Sequence, residues 1–193
     1  MIIGITGGSG CGKSTLLDII RQKGGTVLDC DAIYHELLKT DTSLLDTIAG
    51  QFPGTVVDGV LDRKKLGGIV FADAQALAQL NAITHSAVKA EVCRRLEKAS
   101  PETLVAIDAF GLFEGDLAAL CKQTVAIVAP VEDRVRRLTA RDGITEEYAR
   151  HRIAAQKSNE EFSRLCDYTL ENNSTIQDFQ TKCLAFLQEF DII

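Results

Sequence analysis

Short runs of apolar residues, at 1–6, 26–28, 103–108, 124–128 and 168–170, are separated by longer stretches in which apolar side chains recur every three or four positions. Runs that are apolar throughout suit strands buried on both faces, the pattern of a parallel sheet, whereas the three-to-four spacing marks helices with one packed face. The first helix presents Leu16, Ile19 and Ile20 and should stop at Lys23, where Gly24-Gly25 supplies a left-handed cap. Residues 26–28 then read as a short buried strand. This alternation predicts an α/β three-layer sandwich around a parallel sheet of about five strands.

Between residues 40 and 99 the alternation lapses, which predicts a helical insertion. Ser43 and Asp46 read as a capping box for a helix through Ile48, Pro53-Gly54 and Asp58-Gly59 as turns, and Asp62 as the start of a short helix ending near Phe71. Leu77, Leu80, Thr84, Ala87, Val88, Val92 and Leu96 mark the packed face of a long helix, on which Asn81, His85 and Lys89 share a stripe. Later, a helix from Val131 to about Arg141 carries Arg134, Arg137 and Arg141 on one side, with Asp133 spaced to pair with Arg137. Asp142-Gly143 breaks it, and Thr145 opens a second polar helix with Tyr148, Arg152 and Gln156 in line. Two charged helices joined at a glycine predict a mobile lid, open until phosphates give its unpaired arginines partners. Ser174 and Gln177 are spaced to cap a final helix with Ile176, Phe179, Cys183, Phe186 and Phe190 inward. The whole is expected to be a single domain: core at 1–39, 100–135 and 165–193, insertion at 40–99, lid at 136–164.

The chemistry begins where the first strand ends. Gly7, Gly12, Lys13 and Ser14 fit the spacing G-x-x-x-x-G-K-[ST], in which glycines let backbone N–H groups converge on a polyphosphate and the lysine reaches its terminal groups. Gly8, Ser9, Gly10, Cys11, Gly12, Lys13, Ser14 and Thr15 are therefore the candidate nucleotide-binding residues, with the Ser14 hydroxyl the expected Mg²⁺ ligand. The strand at 26–28 delivers Asp29 and Asp31 to the carboxyl edge of the sheet, where ligands bind in open parallel sheets. Asp31 equally suits the N-cap of the helix carrying Ile33, Tyr34, Leu37 and Leu38. Asp108, ending the strand at 103–108, suits either a metal-side carboxylate or a structural cap.

Charge and composition narrow the partners. With 27 acidic against 21 basic residues the net charge is −6, which repels nucleic acid and anionic membrane, so an anionic ligand must meet a local basic cluster. Six cysteines are scattered without a C-x-x-C pair, which indicates neither a zinc site nor a disulfide framework and fits reduced thiols. Met1 runs straight into the first strand without a leader pattern, and no apolar run approaches about 18 residues. The expectation is a cytoplasmic monomer acting on a small molecule, with no nucleic acid and no membrane.

The loop fixes binding of a nucleoside triphosphate with Mg²⁺ but not its use. A GTPase would need a guanine-reading N-K-x-D, which is absent although Asp108-Ala-Phe-Gly111 imitates D-x-x-G; a transport or motor ATPase would need partner domains. A small-molecule kinase needs a loop, an acceptor pocket, a residue to orient the hydroxyl and arginines for the phosphoryl group, and all have candidates here. Outside enzymes, a nucleotide-dependent switch is the rival, and within them another kinase of nucleosides, nucleotides or small alcohols.

Several ordered segments carry a closer resemblance: 6–15, Val27-Leu-Asp-Cys-Asp-Ala32, 58–66 with Phe71, Leu80-Asn-Ala-Ile-Thr-His85, Leu112-Phe-Glu114, Arg141-Asp-Gly-Ile-Thr145, Arg152-Ile-Ala-Ala-Gln156, and Asp167 with Asn172. On these the chain resembles the dephospho-CoA kinase family over nearly its whole length. The resemblance implies ATP-dependent phosphorylation of the ribose 3′-hydroxyl of dephospho-CoA, giving coenzyme A and ADP, the last step of coenzyme A biosynthesis. It implies Asp31 as the base, with Asp29 the weaker candidate for that role and otherwise a group for the metal's water shell. It implies Lys13 and Arg141 on the ATP phosphates, Arg141 alternatively stacking on adenine or staying solvated. Asp31, Arg63, Asn81 and His85 would line the acceptor site, Asn172 the nucleotide, and Ser14 with Asp108 the Mg²⁺; Arg152 and Gln156 would serve either the lid or their own helix. Two positions depart from the family pattern: Ser86 stands where proline is usual, and Phe110-Gly111 where the family has P-L before L-F-E.

Overall fold

The computed structural model describes residues 1–189, so Phe190, expected to point inward, lies outside the described residues. In chain order the elements are β1 (Ile2–Thr6), α1 (Lys13–Gln22), β2 (Thr26–Asp29), α2 (Cys30–Thr40), α3 (Thr42–Gln51), β3 (Val56–Val57), β4 (Val60–Leu61), α4 (Arg63–Val70), α5 (Ala74–Leu96), β5 (Val105–Asp108), β6 (Gln123–Val128), α6 (Val131–Asp142), α7 (Glu146–Ala154), α8 (Asn159–Leu165), β7 (Tyr168–Glu171) and α9 (Ile176–Glu189). They fall into two compact units, one of residues 1–28, 100–113 and 117 onward, the other of residues 29–99 with 114–116.

The first unit is built on a sheet of order β2-β5-β1-β6-β7. β1 pairs in parallel with β5 and β6, and β6 with β7. Alternation along the strands divides the core between the two faces. Ile3, Ile5, Val125 and Ile127 pack with Leu16 and Ile20 of α1 and with Phe179, Cys183 and Phe186 of α9. Ala126 and Val128 face Phe162 of α8. Gly4 also turns to this second side, where a Cβ would stand 2.8 Å from the Leu112 side chain. The expected α/β sandwich with a parallel sheet is the fold observed. β2 corrects one detail: Thr26 is exposed and only Leu28 is fully buried, because β2 is an edge strand.

Three local expectations shift in this unit. Helix α8 was not expected as a separate element, and it carries a reciprocal capping box: the Glu161 amide donates to the Ser158 hydroxyl at 3.1 Å and the Ser158 amide to the Glu161 carboxylate at 2.7 Å. Helix α9 starts one residue later than Ser174 implied, with the Asp178 amide donating to the Thr175 hydroxyl, and this register leaves Ile176 59% exposed rather than inward. Asp133 pairs with Arg136 at 2.7 Å, not with Arg137, whose guanidinium is drawn to the phosphate loop.

In the second unit all four helices open on an aspartate. The carboxylates of Asp29, Asp41, Asp62 and Asp73 accept from the amides of Ala32, Leu44, Lys65 and Gln75 at 2.8–3.1 Å. Two expectations are thereby corrected. Asp29, not Asp31, caps α2, and Asp41, not Ser43, caps α3, with the Ser43 hydroxyl donating to the Asp41 carboxylate at 2.7 Å. β3 and β4 form an antiparallel hairpin whose turn, Asp58-Gly59, has φ of 51° and 73°, the doubly left-handed backbone that two-residue hairpins favour. Among the described residues no helix is long and apolar enough to cross a membrane.

Candidate functional site

β1 ends at Thr6 and the chain turns through Gly7, Gly10 and Gly12, with φ of 141°, 77° and 100°, before α1 begins at Lys13. Gly12 holds the N-cap position of α1 and no side chain caps that helix, so its first amides are open to an anion. The Lys13 ammonium folds back to donate to the Gly7 carbonyl at 3.0 Å, Ser14 is exposed, and Thr15 is half-buried with its amide on the Gly12 carbonyl. Cys11 is almost wholly buried, and that burial pushes its thiol pKa up, so it serves as a small apolar residue under the loop.

The loop is held from behind by polar groups that the sequence reading placed elsewhere. Arg137 donates to the carbonyls of Gly10 and Cys11 at 3.2 and 3.4 Å. Asn172 is buried, donates from Nδ2 to the Cys11 carbonyl at 2.9 Å and accepts from Arg137 at 3.2 Å, so both ends of its carboxamide are taken by protein. A Cβ at Gly12 would lie 2.3 Å from Asn172 Nδ2, which excludes any other residue there as firmly as its φ does. Arg134 is 2% exposed and Gln156 half-buried, both against Ser9. Gln156 does not share a helix stripe with Arg152, because α7 ends at Ala154 and Gln156 lies beyond it.

Arg141 is exposed and donates twice to the Asp142 carboxylate at 2.6 and 3.0 Å, and Arg152 donates to the same carboxylate at 3.0 Å. The expectation of unpaired arginines beside Gly143 is thus corrected, since both pair with the Asp142 carboxylate. Helices α6 and α7 share an apolar cluster of Val135, Leu138, Ala149 and Ile153. Asp108 ends β5 half-buried, with its partner on β1 at Ile5. Phe110 lies edge-on to Phe162, with Lys157 Nζ 5.9 Å from its ring centre. The sequence departure at 110 thus places a partly exposed aromatic after β5.

In the second unit, Asp31 lies in the first turn of α2, exposed, with no hydrogen-bonding or ion-pair partner among the described residues. Four residues on is His35, whose Nδ1 stands 3.3 Å from the Arg63 guanidinium. Burial pushes the pKa of the Tyr34 hydroxyl up, against a smaller opposing effect of the Arg63 charge. Arg63 is therefore brought to the helix that carries Asp31, and His35, which the sequence reading passed over, was signalled by its i+4 spacing from Asp31. On α5, Asn81 is exposed, His85 half-buried, and Lys89 pairs with Asp116.

Residues 1–178 match the family model described as dephospho-CoA kinase. The chain belongs to the dephospho-CoA kinase family. It is 35% identical over 189 residues to the dephospho-CoA kinase of Thermobifida fusca, covering 97% of this chain and 94% of that protein. Against the dephospho-CoA kinase of Corynebacterium diphtheriae it is 37% identical over 178 residues, covering 90% and 89%. Among solved structures, TT1252 from Thermus thermophilus matches with a TM-score of 0.82 at 34% identity, covering 98% of this chain and 97% of that one. The dephospho-CoA kinase from Campylobacter jejuni matches with a TM-score of 0.67 at 26% identity, covering 98% and 96%. A shikimate kinase from Bacteroides thetaiotaomicron, at 15% identity and a TM-score of 0.60 over 100% of this chain and 99% of that one, shares the fold.

Proposed function

We infer that the protein transfers the γ-phosphoryl group of ATP to the ribose 3′-hydroxyl of dephospho-CoA, giving coenzyme A and ADP, as a monomeric cytoplasmic enzyme. The observation that carries this is the family match over residues 1–178 together with a phosphate loop whose helix N-terminus is left uncapped. The Lys13 ammonium and the loop amides that the protein does not itself engage, which leaves out those of Ser9, Cys11 and Thr15, bind the polyphosphate and offset the charge that spreads over the transferring group. Asp31 accepts the proton of the attacking hydroxyl; its exposed carboxylate, relieved of capping by Asp29, has no competing partner among the described residues. Arg63 beside His35, with Asn81 and His85, takes the acceptor's phosphates, and Arg141 reaches the ATP phosphates by exchanging Asp142 for them.

The hydroxyl of Ser14 and the carboxylate of Asp108 are hard oxygen donors of the kind Mg²⁺ accepts alongside its retained waters, and they would hold that ion. When bound it neutralises charge between the β- and γ-phosphates. The test is coupled ADP release with dephospho-CoA, adenosine, uridine and shikimate as acceptors. Turnover with dephospho-CoA at least about 10²-fold above the others is expected; equal slow hydrolysis with all four would mark a switch and overturn the reading.

A further inference from the structure

Ser9 is gripped at three atoms by two side chains far away in sequence. Its amide donates to Gln156 Oε1 at 2.9 Å, its hydroxyl accepts from Gln156 Nε2 at 2.8 Å, and its carbonyl accepts from Arg134 Nε at 2.9 Å. Arg134 Nη2 also donates to Gln156 Oε1 at 2.9 Å. The orientation of the Gln156 carboxamide is forced, because the Ser9 amide and the arginine are both donors and only an oxygen can meet them. Arg134 reaches this place because Gly8 has no side chain: a Cβ there would fall 2.2 Å from Arg134 Nη2 and 3.1 Å from Gln156 Oε1. The guanidinium is buried, and among the described residues its hydrogen bonds go to neutral oxygens, an arrangement that costs desolvation.

We propose that Gln156, oriented by Arg134, is a positioning residue for phosphoryl transfer: its carboxamide fixes Ser9 and so sets the path of the loop from Gly8 to Cys11 before ATP arrives. The proposal rests on the kinase reading above and deepens it. Loop amides stabilise a transition state only when their directions are set in advance, and misplacing reacting groups by about 1 Å costs around 10²-fold in rate. Ground-state binding of ATP, shared among many loop amides and Lys13, depends less on any one of them.

Gln156→Ala and Gln156→Met decide the matter together. Methionine fills nearly the same space without hydrogen bonds, so a packing role is rescued by Met and a positioning role is not. Both variants are expected to lower kcat by about 10–10² with KM for ATP changed less than about threefold. Hydrogen exchange of a peptide spanning residues 7–12 in nucleotide-free protein is expected to rise several-fold in both, with residues 103–108 unchanged. Gln156→Met with turnover within about twofold of wild type, a loss confined to KM, or unchanged loop exchange would each overturn the proposal. The exchange measurement needs no acceptor, so a wild-type enzyme inactive on dephospho-CoA would sink the kinase reading while the grip on Ser9 is still tested.

Discussion

The helix behind the phosphate loop and the four helices of the second unit begin in opposite ways. α1 starts at Gly12 with no side chain on its amides, whereas α2, α3, α4 and α5 each close their first turn with an aspartate. Two arginines at the loop also stand apart from the ion pairs found in both units. Arg134 and Arg137 in the first unit spend their donors on loop carbonyls and carboxamides, while Arg94 and Arg95 in the second are paired with Glu91 and Glu36. The helices of the second unit satisfy their own N-termini through aspartates, and their Glu91 cluster cancels its charges at the surface. A helix that binds an anion leaves both amides and positive charge uncompensated, and the cost is met by holding the loop from behind.

Removing the cation in front of the loop should break this contrast most completely. Lys13→Ala is expected to reduce phosphoryl transfer by at least about 10³, with a melting temperature within about 2 °C of wild type, because the ammonium is half-buried at a loop rather than in the core. ADP release and a thermal scan measure both; appreciable turnover in this variant would remove the central claim. The next effect lies in the second unit, where Asp29 and Asp31 divide two roles. Asp31→Asn should lower turnover by about 10²–10⁴ with ATP affinity unchanged and stability intact, since the cap of α2 belongs to Asp29. Asp29→Ala should instead cost about 1 kcal/mol of stability. Retention of more than about a third of wild-type turnover in Asp31→Asn would pass the base role elsewhere.

The sequence made the sheet legible because its central strands are apolar on both faces, and the loop legible because its chemistry is local. What escaped it was long-range. Ser9 and Gln156 are 147 positions apart, and Ser9 and Arg134 are 125 apart, so nothing in either neighbourhood announces the grip. Gln156 was placed on a helix that stops at Ala154, two residues short of it. Whether Asp29 or Asp31 caps α2 depends on where β2 ends, and neighbouring aspartates leave that open in sequence. Helix α8 is a different case, for Ser158 and Glu161 stand at capping-box spacing and were sufficient to find it. Arg134, Arg137 and Arg141 were correctly set on one side of α6, but only the first two turn to the loop; the third meets Asp142 at the exposed helix end.

The smallest expected effect sharpens the other half of the contrast, the self-neutralising Glu91 cluster of the second unit. Glu91 accepts from Arg94 at 2.7 and 2.6 Å and from Arg95 at 2.6 Å, and Arg95 also reaches Glu36 at 2.7 Å. The two hydrogen bonds from Arg94, with the one from Arg95 and against a smaller effect of burial, bring the Glu91 carboxyl from its ordinary 4.5 down to about 2. A carboxylate with a folded pKa below its unfolded value stabilises the fold above the unfolded pKa and stops doing so as pH falls through the folded one. The contribution is therefore complete above about pH 4.5 and lost between there and about 2. Arg94 is half exposed, so solvent screening reduces the effect to about 1 kcal/mol. Glu91→Gln should destabilise the protein by that amount at pH 7, and the difference from wild type should shrink toward zero by pH 2.5, as read from denaturant unfolding at several pH values. Two stability curves that stay parallel from pH 5 to 2.5 would show that this cluster contributes no ionic stability, and that the aspartate caps and apolar packing alone hold the second unit.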